Sequence, residues 1–151
     1  MHILVAALLL AALSASADAR LLSSAELEQM LKAKDFFLVN VHVPYAGEIP
    51  QTDAFIPYNE TVSRAAEYPK EKDAKIVVYC LTNTMAKIAV QDLLKLGFTN
   101  VSMLEGGMKG WKQAGLTLLT RNNAPGVPYP GAADKSPAGP LPQGCPCGAE
   151  N

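Results

Sequence analysis

The sequence predicts an α/β fold with a mostly parallel sheet, and three observations support this. Two nearly continuous apolar runs, at residues 36–41 and 75–79, are typical of strands buried on both faces. Amphipathic helical patterns alternate with these runs along the chain. Strands that alternate with helices form βαβ units, whose right-handed crossovers make the strands parallel. The 151 residues are sufficient for one domain of this kind.

The first half of the domain begins with a helix. Ser23 and Glu26 form a capping box that predicts a helix over about residues 24–34. The strand that follows leads into a long loop punctuated by Pro and Gly. A short helix is then expected over residues 60–68, ended by Pro69.

The second half repeats the alternation of strand and helix. The strand at 75–79 passes through a short polar stretch into a helix that is predicted to end at Gly97 as its C-cap. Residues 101–104 form the next predicted strand, and residues 107–114 form the last helix. Both halves therefore predict the same layered architecture.

Composition and charge exclude several classes of protein. Apolar residues make up 49% of the chain and charged residues 18%, so we expect a folded core. The 13 Lys and Arg are balanced by 14 Asp and Glu, which indicates no basic surface for nucleic acid. Three cysteines are too few for a disulfide scaffold. We find no cofactor motif and no metal-ligand spacing, and we expect neither group.

The first 19 residues are predicted to be a cleaved secretory signal peptide. Residues 3–13 form an unbroken apolar run, which is too short to span a bilayer, and residues 17–19 (Ala-Asp-Ala) offer a cleavage site before Arg20. The first two residues supply no Lys or Arg, and the alternative is a buried N-terminal helix. No cysteine lies at the cleavage site, so we expect a periplasmic or secreted bacterial protein without a stable membrane anchor.

The last part of the chain, residues 121–151, is predicted to be a flexible tail. It holds seven of the 11 prolines and five of the 11 glycines, and no apolar periodicity. Cys145 and Cys147 lie near its end in a Cys-Pro-Cys sequence. Three interpretations of this pair stay open: an incomplete site for a soft metal ion, a thiol relay to Cys80, and a disulfide within or between chains.

Cys80 is the main candidate for chemistry because it directly follows a predicted strand. Ligands of open α/β sheets bind beyond the carboxyl ends of the strands. The stretch after Cys80 leads into a helix, whose unpaired N–H groups and positive dipole end favour an anion such as a thiolate. The alternative interpretation is that Cys80 is a small buried apolar residue.

Several segments together resemble the rhodanese-like domain family. They are the strand, loop and helix around Cys80, the Leu-Glu-Gly-Gly-Met-Lys-Gly-Trp sequence at 104–111, and two upstream motifs at 37–42 and 47–50. The resemblance covers roughly residues 21–119, within a predicted domain of residues 20–120. It implies a three-layer sandwich with a mostly parallel central sheet of about five strands flanked by helices.

The resemblance also implies sulfurtransferase chemistry with Cys80 as the catalytic nucleophile. In this family the cysteine accepts a sulfane sulfur, becomes a persulfide, and passes the sulfur to a thiol or other nucleophile. The implied partners are a small sulfur donor and either a thiol acceptor or a partner protein. The substrate-binding residues carried over from the loop are Leu81, Thr82, Asn83, Thr84 and Met85.

The loop lacks cations that the family often uses. Leu81, Asn83 and Met85 stand where family members often have Arg, Gly and Arg. Because those cations help to bind anionic donors, the sequence does not favour thiosulfate as the donor. The departures upstream are Asn40, His42 and Glu48, where Asp, Arg and His are usual.

Two side chains outside the loop are further candidates for substrate binding. His42 is predicted at the same sheet edge as Cys80, where an imidazole can pair with a thiolate or move a proton. Lys109 follows a glycine pair and can replace a missing loop cation. The alternatives are a histidine bonded to backbone and a solvated lysine.

The resemblance favours an exported sulfurtransferase, and two other functions stay open. One is a non-catalytic binding module on the same fold, since fold does not determine function. The other is a thiol redox or metal-handling protein that uses Cys145 and Cys147. A tyrosine phosphatase is excluded, because it needs Arg six residues after Cys80 and Ala86 stands there.

Overall fold

The structure, a computed structural model, describes residues 19–120. These residues form a five-stranded sheet and α-helices on both of its faces. The predicted signal peptide up to residue 18 and the predicted tail, with Cys145 and Cys147, lie outside the described residues. In chain order the elements are β1 Arg20–Leu22, α1 Ser24–Leu31, β2 Phe37–Asn40, β3 Ala54–Phe55, β4 Ile76–Tyr79, α2 Thr84–Lys95, β5 Val101–Leu104 and α3 Gly107–Gln113.

The sheet is parallel throughout and has the strand order β1-β5-β4-β2-β3. β4 therefore lies at its centre, with Val78 paired to Val39 on one side and to Met103 on the other. All four residues of β4 are buried, as the predicted strand pattern requires. Because every strand runs the same way, the loops after β2 and β4 meet at one edge of the sheet.

The two faces of the sheet carry separate apolar clusters. The buried residues of α2, such as Ala89 and Leu93, pack on one face. The buried residues of α1 and α3, such as Leu27 and Trp111, pack on the other face. The predicted α/β fold, a three-layer sandwich with about five strands, is thus confirmed.

Local predictions fail where the elements are short. The predicted helix over residues 60–68 is instead two 3₁₀ turns, Tyr58–Glu60 and Ala65–Glu67, tied together by ion pairs from Arg64 to an acid on each side. Strands β1 and β3 have three and two residues, which is too few for a recognisable alternation of apolar residues. The first helix keeps the capping box predicted at Ser23 but ends at Leu31.

Between residues 19 and 120, none of the helices has the length and apolar character needed to cross a bilayer. In the same range, no three side chains of His, Cys, Asp or Glu come together in an arrangement that could hold a metal ion.

Candidate active site

Cys80 lies directly after β4, at the carboxyl end of the central strand. Only 2% of the residue is exposed, and it is a free thiol. It belongs to the apolar cluster on the α2 face, together with Val41 and Ala86. The thiol of Cys80 therefore has almost no contact with solvent.

That loop is shorter than the stretch assigned to substrate binding. Asn83 takes the N-cap position of α2, so Thr84 and Met85 belong to the first helical turn. The side chain of Leu81 projects into solvent, with 41% of the residue exposed. Thr82 and Thr84 are also exposed, whereas Asn83 and Met85 are half-buried.

The start of α3 packs against the backbone of the cysteine loop. The N–H of Met108 donates to the carbonyl oxygen of Cys80 at 2.8 Å. Gly107 permits this approach, because a Cβ there would clash with the carbonyl oxygens of Cys80 and Thr82, the second at 2.5 Å. Its φ of +54° is also one that L side chains rarely adopt. The loop therefore requires glycine at position 107.

Asn83 ties the loop to the same pair of glycines. Its side-chain Oδ1 accepts a hydrogen bond from the N–H of Gly106 at 2.9 Å. The Asn83 side chain makes no cap bond to α2, although it occupies the N-cap position. A glycine, which family members often have here, has no side chain to form this link.

The backbone N–H groups of the loop are unpaired within the described part of the chain. From residue 81 to residue 86, none of them donates a hydrogen bond to another residue between 19 and 120. These groups surround the start of α2, where the helix dipole also favours negative charge. The arrangement can hold an anion formed on or near Cys80.

The loop after β2 lies at the same sheet edge, and hydrogen bonds from buried side chains hold its backbone in place. Asn40 is fully buried; its Nδ2 donates to the carbonyl oxygen of Gly47 at 2.9 Å, and its Oδ1 accepts from the N–H of His42 at 3.0 Å. The hydroxyl of Tyr79 accepts from the N–H of Ile49 at 3.0 Å. The donated bond needs an amide, which accounts for Asn in place of the usual Asp.

The two candidates outside the cysteine loop, His42 and Lys109, differ in burial and in their contact with that loop. His42 is half-buried, and burial lowers the pKa of its ring below 6.5, so the ring is neutral at pH 7. The described residues give this ring no hydrogen-bond partner, Cys80 included. The N–H of Lys109 donates to the carbonyl oxygen of Leu81 at 2.9 Å, and its side chain is exposed. The cysteine loop thus binds the backbone of Lys109.

A groove of about 650 Å³ lies between α3 and the last described residues. Leu81 brings the cysteine loop to one wall of this groove, while Cys80 itself does not line it. The other lining residues are Ala46, Met108, Lys109, Lys112, Gln113, Leu116, Thr117, Leu118 and Thr120.

Sequence reasoning missed the parts of the site that are fixed by contacts distant in the chain. The roles of Asn40, Tyr79, Asn83 and Gly107 were not foreseen. The available signal was the Gly-Gly pair directly after a strand, since two adjacent glycines there indicate a close backbone approach.

Comparison with known proteins agrees with this geometry. Residues 18–114 match the family profile described as Rhodanese-like domain. A sulfurtransferase of Allochromatium vinosum is 31% identical over 96 residues, which cover 61% of this chain and 86% of that protein. An uncharacterized protein of Synechocystis sp. is 34% identical over 103 residues, which cover 66% of this chain and 55% of that protein. The chain thus spans only about half the length of this second relative.

Solved structures show the same fold. A rhodanese-related protein from Thermoplasma volcanium superposes with a TM-score of 0.57 at 25% identity, covering 66% of this chain and 97% of that one. A thiosulfate sulfurtransferase from Pseudomonas aeruginosa gives a TM-score of 0.57 at 27% identity, covering 66% of this chain and 20% of that one. Taken with the cysteine loop at the end of β4, these matches establish that the chain belongs to the rhodanese-like domain family.

Proposed function

We propose that the protein is an exported sulfurtransferase that carries a sulfane sulfur on Cys80 as a persulfide. The family assignment and the Allochromatium relative support a sulfurtransferase-type function in general. The observation that carries the finer proposal is the cysteine loop, where Cys80 opens a run of backbone N–H groups with no acceptor among the described residues. A persulfide anion needs donors of this kind.

The reaction consists of two displacements at sulfur. The Cys80 thiolate attacks the outer sulfur of the donor, the donor's sulfur–sulfur bond breaks, and the donor leaves as a thiolate. An acceptor thiolate then attacks the outer sulfur of the Cys80 persulfide, and Cys80 leaves as a thiolate. No oxidant or reductant is consumed, because the sulfane sulfur moves between carriers at one oxidation level.

The chemistry of the loop favours donors whose sulfane group carries less negative charge than the thiosulfate dianion. Residues 81–85 contain no Lys or Arg, so a thiosulfate dianion has no ion-pair partner from this loop. His42 is neutral at pH 7 and supplies no cation either. We therefore propose organic persulfides as donors in preference to thiosulfate.

Mass spectrometry of the intact full-length chain tests the proposal. The protein is incubated in turn with thiosulfate, polysulfide and glutathione persulfide, with Cys80→Ser as the matched control. A gain of one sulfur that Cys80→Ser lacks and that cyanide removes is the expected result. No adduct from any donor, together with no alkylation of Cys80 in the folded protein, would refute the enzyme proposal.

The same experiment addresses a second function, a binding module without catalysis. Two observations favour this function: Cys80 is only 2% exposed, and the loop lacks the usual cations. A thiol that stays inert toward all three donors and toward alkylating reagents is the outcome expected of a binding module.

Export is proposed from the sequence of the first 19 residues. β1 begins at Arg20, directly after the proposed cleavage site, so cleavage there leaves the sheet complete. Expression in a Gram-negative host, with N-terminal sequencing of the periplasmic fraction, is expected to give a chain that starts at Arg20. A chain found only in the cytoplasm with its first residues intact would contradict export.

A further inference from the structure

The groove beside α3 is not used by the proposed reaction. It measures about 650 Å³, and Cys80 does not line it, because Cys80 packs in the apolar cluster on the α2 face of the sheet. The cysteine loop reaches the groove only through Leu81, whose exposed side chain forms part of one wall. A ligand in this groove would therefore lie beside the cysteine loop but apart from the Cys80 thiol.

The side chains of the groove combine apolar surface with positive charge. Leu81, Leu116 and Leu118 supply apolar side chains to the lining, and none of the three is fully buried. Lys109 and Lys112 lie one turn apart on α3, both exposed, and no ion pair joins either lysine to another residue between 19 and 120. The described lining contains no Asp or Glu. It therefore complements a ligand that carries both carboxylates and apolar groups.

One wall of the groove also offers unpaired backbone groups. Leu119 and Glu48 exchange two backbone hydrogen bonds of 2.8 Å as a closely spaced antiparallel pair. In such a pair, the residues on either side direct their N–H and C=O groups away from the partner strand. Leu118 follows this rule, since neither its N–H nor its carbonyl oxygen bonds to any residue that the structure describes. The segment around Leu118 thus presents an edge to which an extended peptide can add as another strand.

We propose that this groove docks an extended segment of a partner protein in which acidic and apolar residues alternate. Side chains of a strand point alternately to opposite faces, so the apolar residues can enter the groove while the acidic residues face Lys109 and Lys112. The backbone of the segment pairs with that of Leu118. Docking does not require a persulfide on Cys80, so this inference goes beyond the proposed function and does not rest on it.

The charges of the groove favour another protein over the remainder of this chain as the occupant. Residues 121–133, which follow the last described residue, contain Arg121 and no Asp or Glu, so they bring no partner for the two lysines. The acidic residues beyond them are Asp134 and Glu150, which are too far apart in the sequence to alternate with apolar residues. A segment of the required pattern must therefore come from a separate protein.

The test is an NMR titration of the isotope-labelled full chain with a capped hexapeptide of alternating Glu and Leu. The amide signals of the groove-lining residues are expected to shift together, and binding should weaken as salt is added. Lys109→Gln/Lys112→Gln should weaken binding about 5- to 25-fold, from the loss of two exposed charge pairs. Lys87→Gln/Lys95→Gln is the matched control, because it removes the same charge from exposed positions of α2 outside the groove, and its binding should be unchanged.

Two further hexapeptides separate the two kinds of contact. A peptide of Gln and Leu lacks the charge, a peptide of Glu and Ser lacks the apolar groups, and each should bind more weakly than the peptide of Glu and Leu. Signal shifts confined to other surfaces, or equal weakening by the two lysine pairs, would overturn the proposal. Absence of peptide binding would overturn it as well, whether dodecanoate binds in the groove instead, as a small amphipathic carboxylate, or the chain's own remaining residues fill it.

Discussion

The loops after the two central strands lie at one edge of the sheet but use their hydrogen bonds in opposite ways. After β2, buried side chains form hydrogen bonds with the loop backbone. The Tyr79 hydroxyl accepts from the N–H of Ile49, and the Asn40 side chain bridges the carbonyl oxygen of Gly47 and the N–H of His42. After β4, the carbonyl oxygen of Cys80 is used for anchoring, while the N–H groups from residue 81 to residue 86 have no described acceptor.

This difference suggests separate roles, with the loop after β2 supporting the fold and the loop after β4 available to bind a ligand. A loop N–H that already has an acceptor contributes to stability and offers little to a ligand. A loop that is held by its carbonyl groups keeps its donors available for an anion. Substitutions that each disturb one of the two loops test this comparison. They follow in order of expected effect.

Gly107→Ala should have the largest effect, because it pushes the cysteine loop off α3. The new Cβ would clash with backbone carbonyl oxygens of Cys80 and Thr82, in a left-handed conformation. We expect a loss of about 3–4 kcal/mol in the free energy of unfolding, from overpacking together with backbone strain. Persulfide formation at Cys80 should fall with it. Urea denaturation and the mass assay measure the two quantities.

Gly115→Ala is the matched control for this variant. Gly115 also has a positive φ, +79°, but a Cβ there would meet no atom within 4 Å. It should lose only the backbone strain, about 1–2 kcal/mol, and keep Cys80 reactive. Equal losses of stability in the two variants would show that the approach of α3 to the loop does not depend on Gly107.

Tyr79→Phe should open the loop after β2 and leave the loop after β4 in place. It removes the hydroxyl that accepts from Ile49 and bonds to Thr52 at 2.7 Å, and it leaves a buried N–H without an acceptor. We expect a loss of about 1–3 kcal/mol in unfolding free energy with Cys80 still loading. Tyr58→Phe is the control, because no described residue bonds that hydroxyl. If the folded Tyr79→Phe protein failed to load Cys80, the separate roles of the two loops would be contradicted.

Asn83→Ala should weaken the tie between the cysteine loop and the glycine pair. The lost bond from the Gly106 N–H measures 2.9 Å and is only partly buried, so we expect a cost of about 0.5–1.5 kcal/mol. Asn83→Asp keeps an acceptor oxygen at the same place and should restore most of the stability. Denaturation of the three proteins under one condition checks this, and an aspartate variant as unstable as the alanine variant would be evidence against the bond.

His42 should give the smallest effect, seen as a dependence of stability on pH. Burial lowers the pKa of His42 below the value of 6.5 expected in the unfolded chain. Between these two values the unfolded state binds more protons, so stability falls as pH falls through that window and levels off below it. His42→Gln should remove this slope in urea midpoints measured from pH 7.5 to 5. An unchanged slope would assign it to other groups.

The sequence by itself determined the order of the three longer strands and the three α-helices, the capping box at Ser23, and the position of Cys80 at the end of a strand. These features are encoded locally, since periodicity and capping involve residues within a few positions of each other. The same local logic failed at β1 and β3, which are too short to show a period.

Only the tertiary structure decided how the cysteine loop is held and how deeply Cys80 is buried. The bond between Asn83 and Gly106 joins residues 23 positions apart, and the bond between Tyr79 and Ile49 spans 30 positions. No local pattern specifies such pairs, because they form when α3 and the β2 loop pack against the central strand. The candidate residue, Cys80, could thus be identified from the sequence, whereas its environment is a property of the assembled sheet edge.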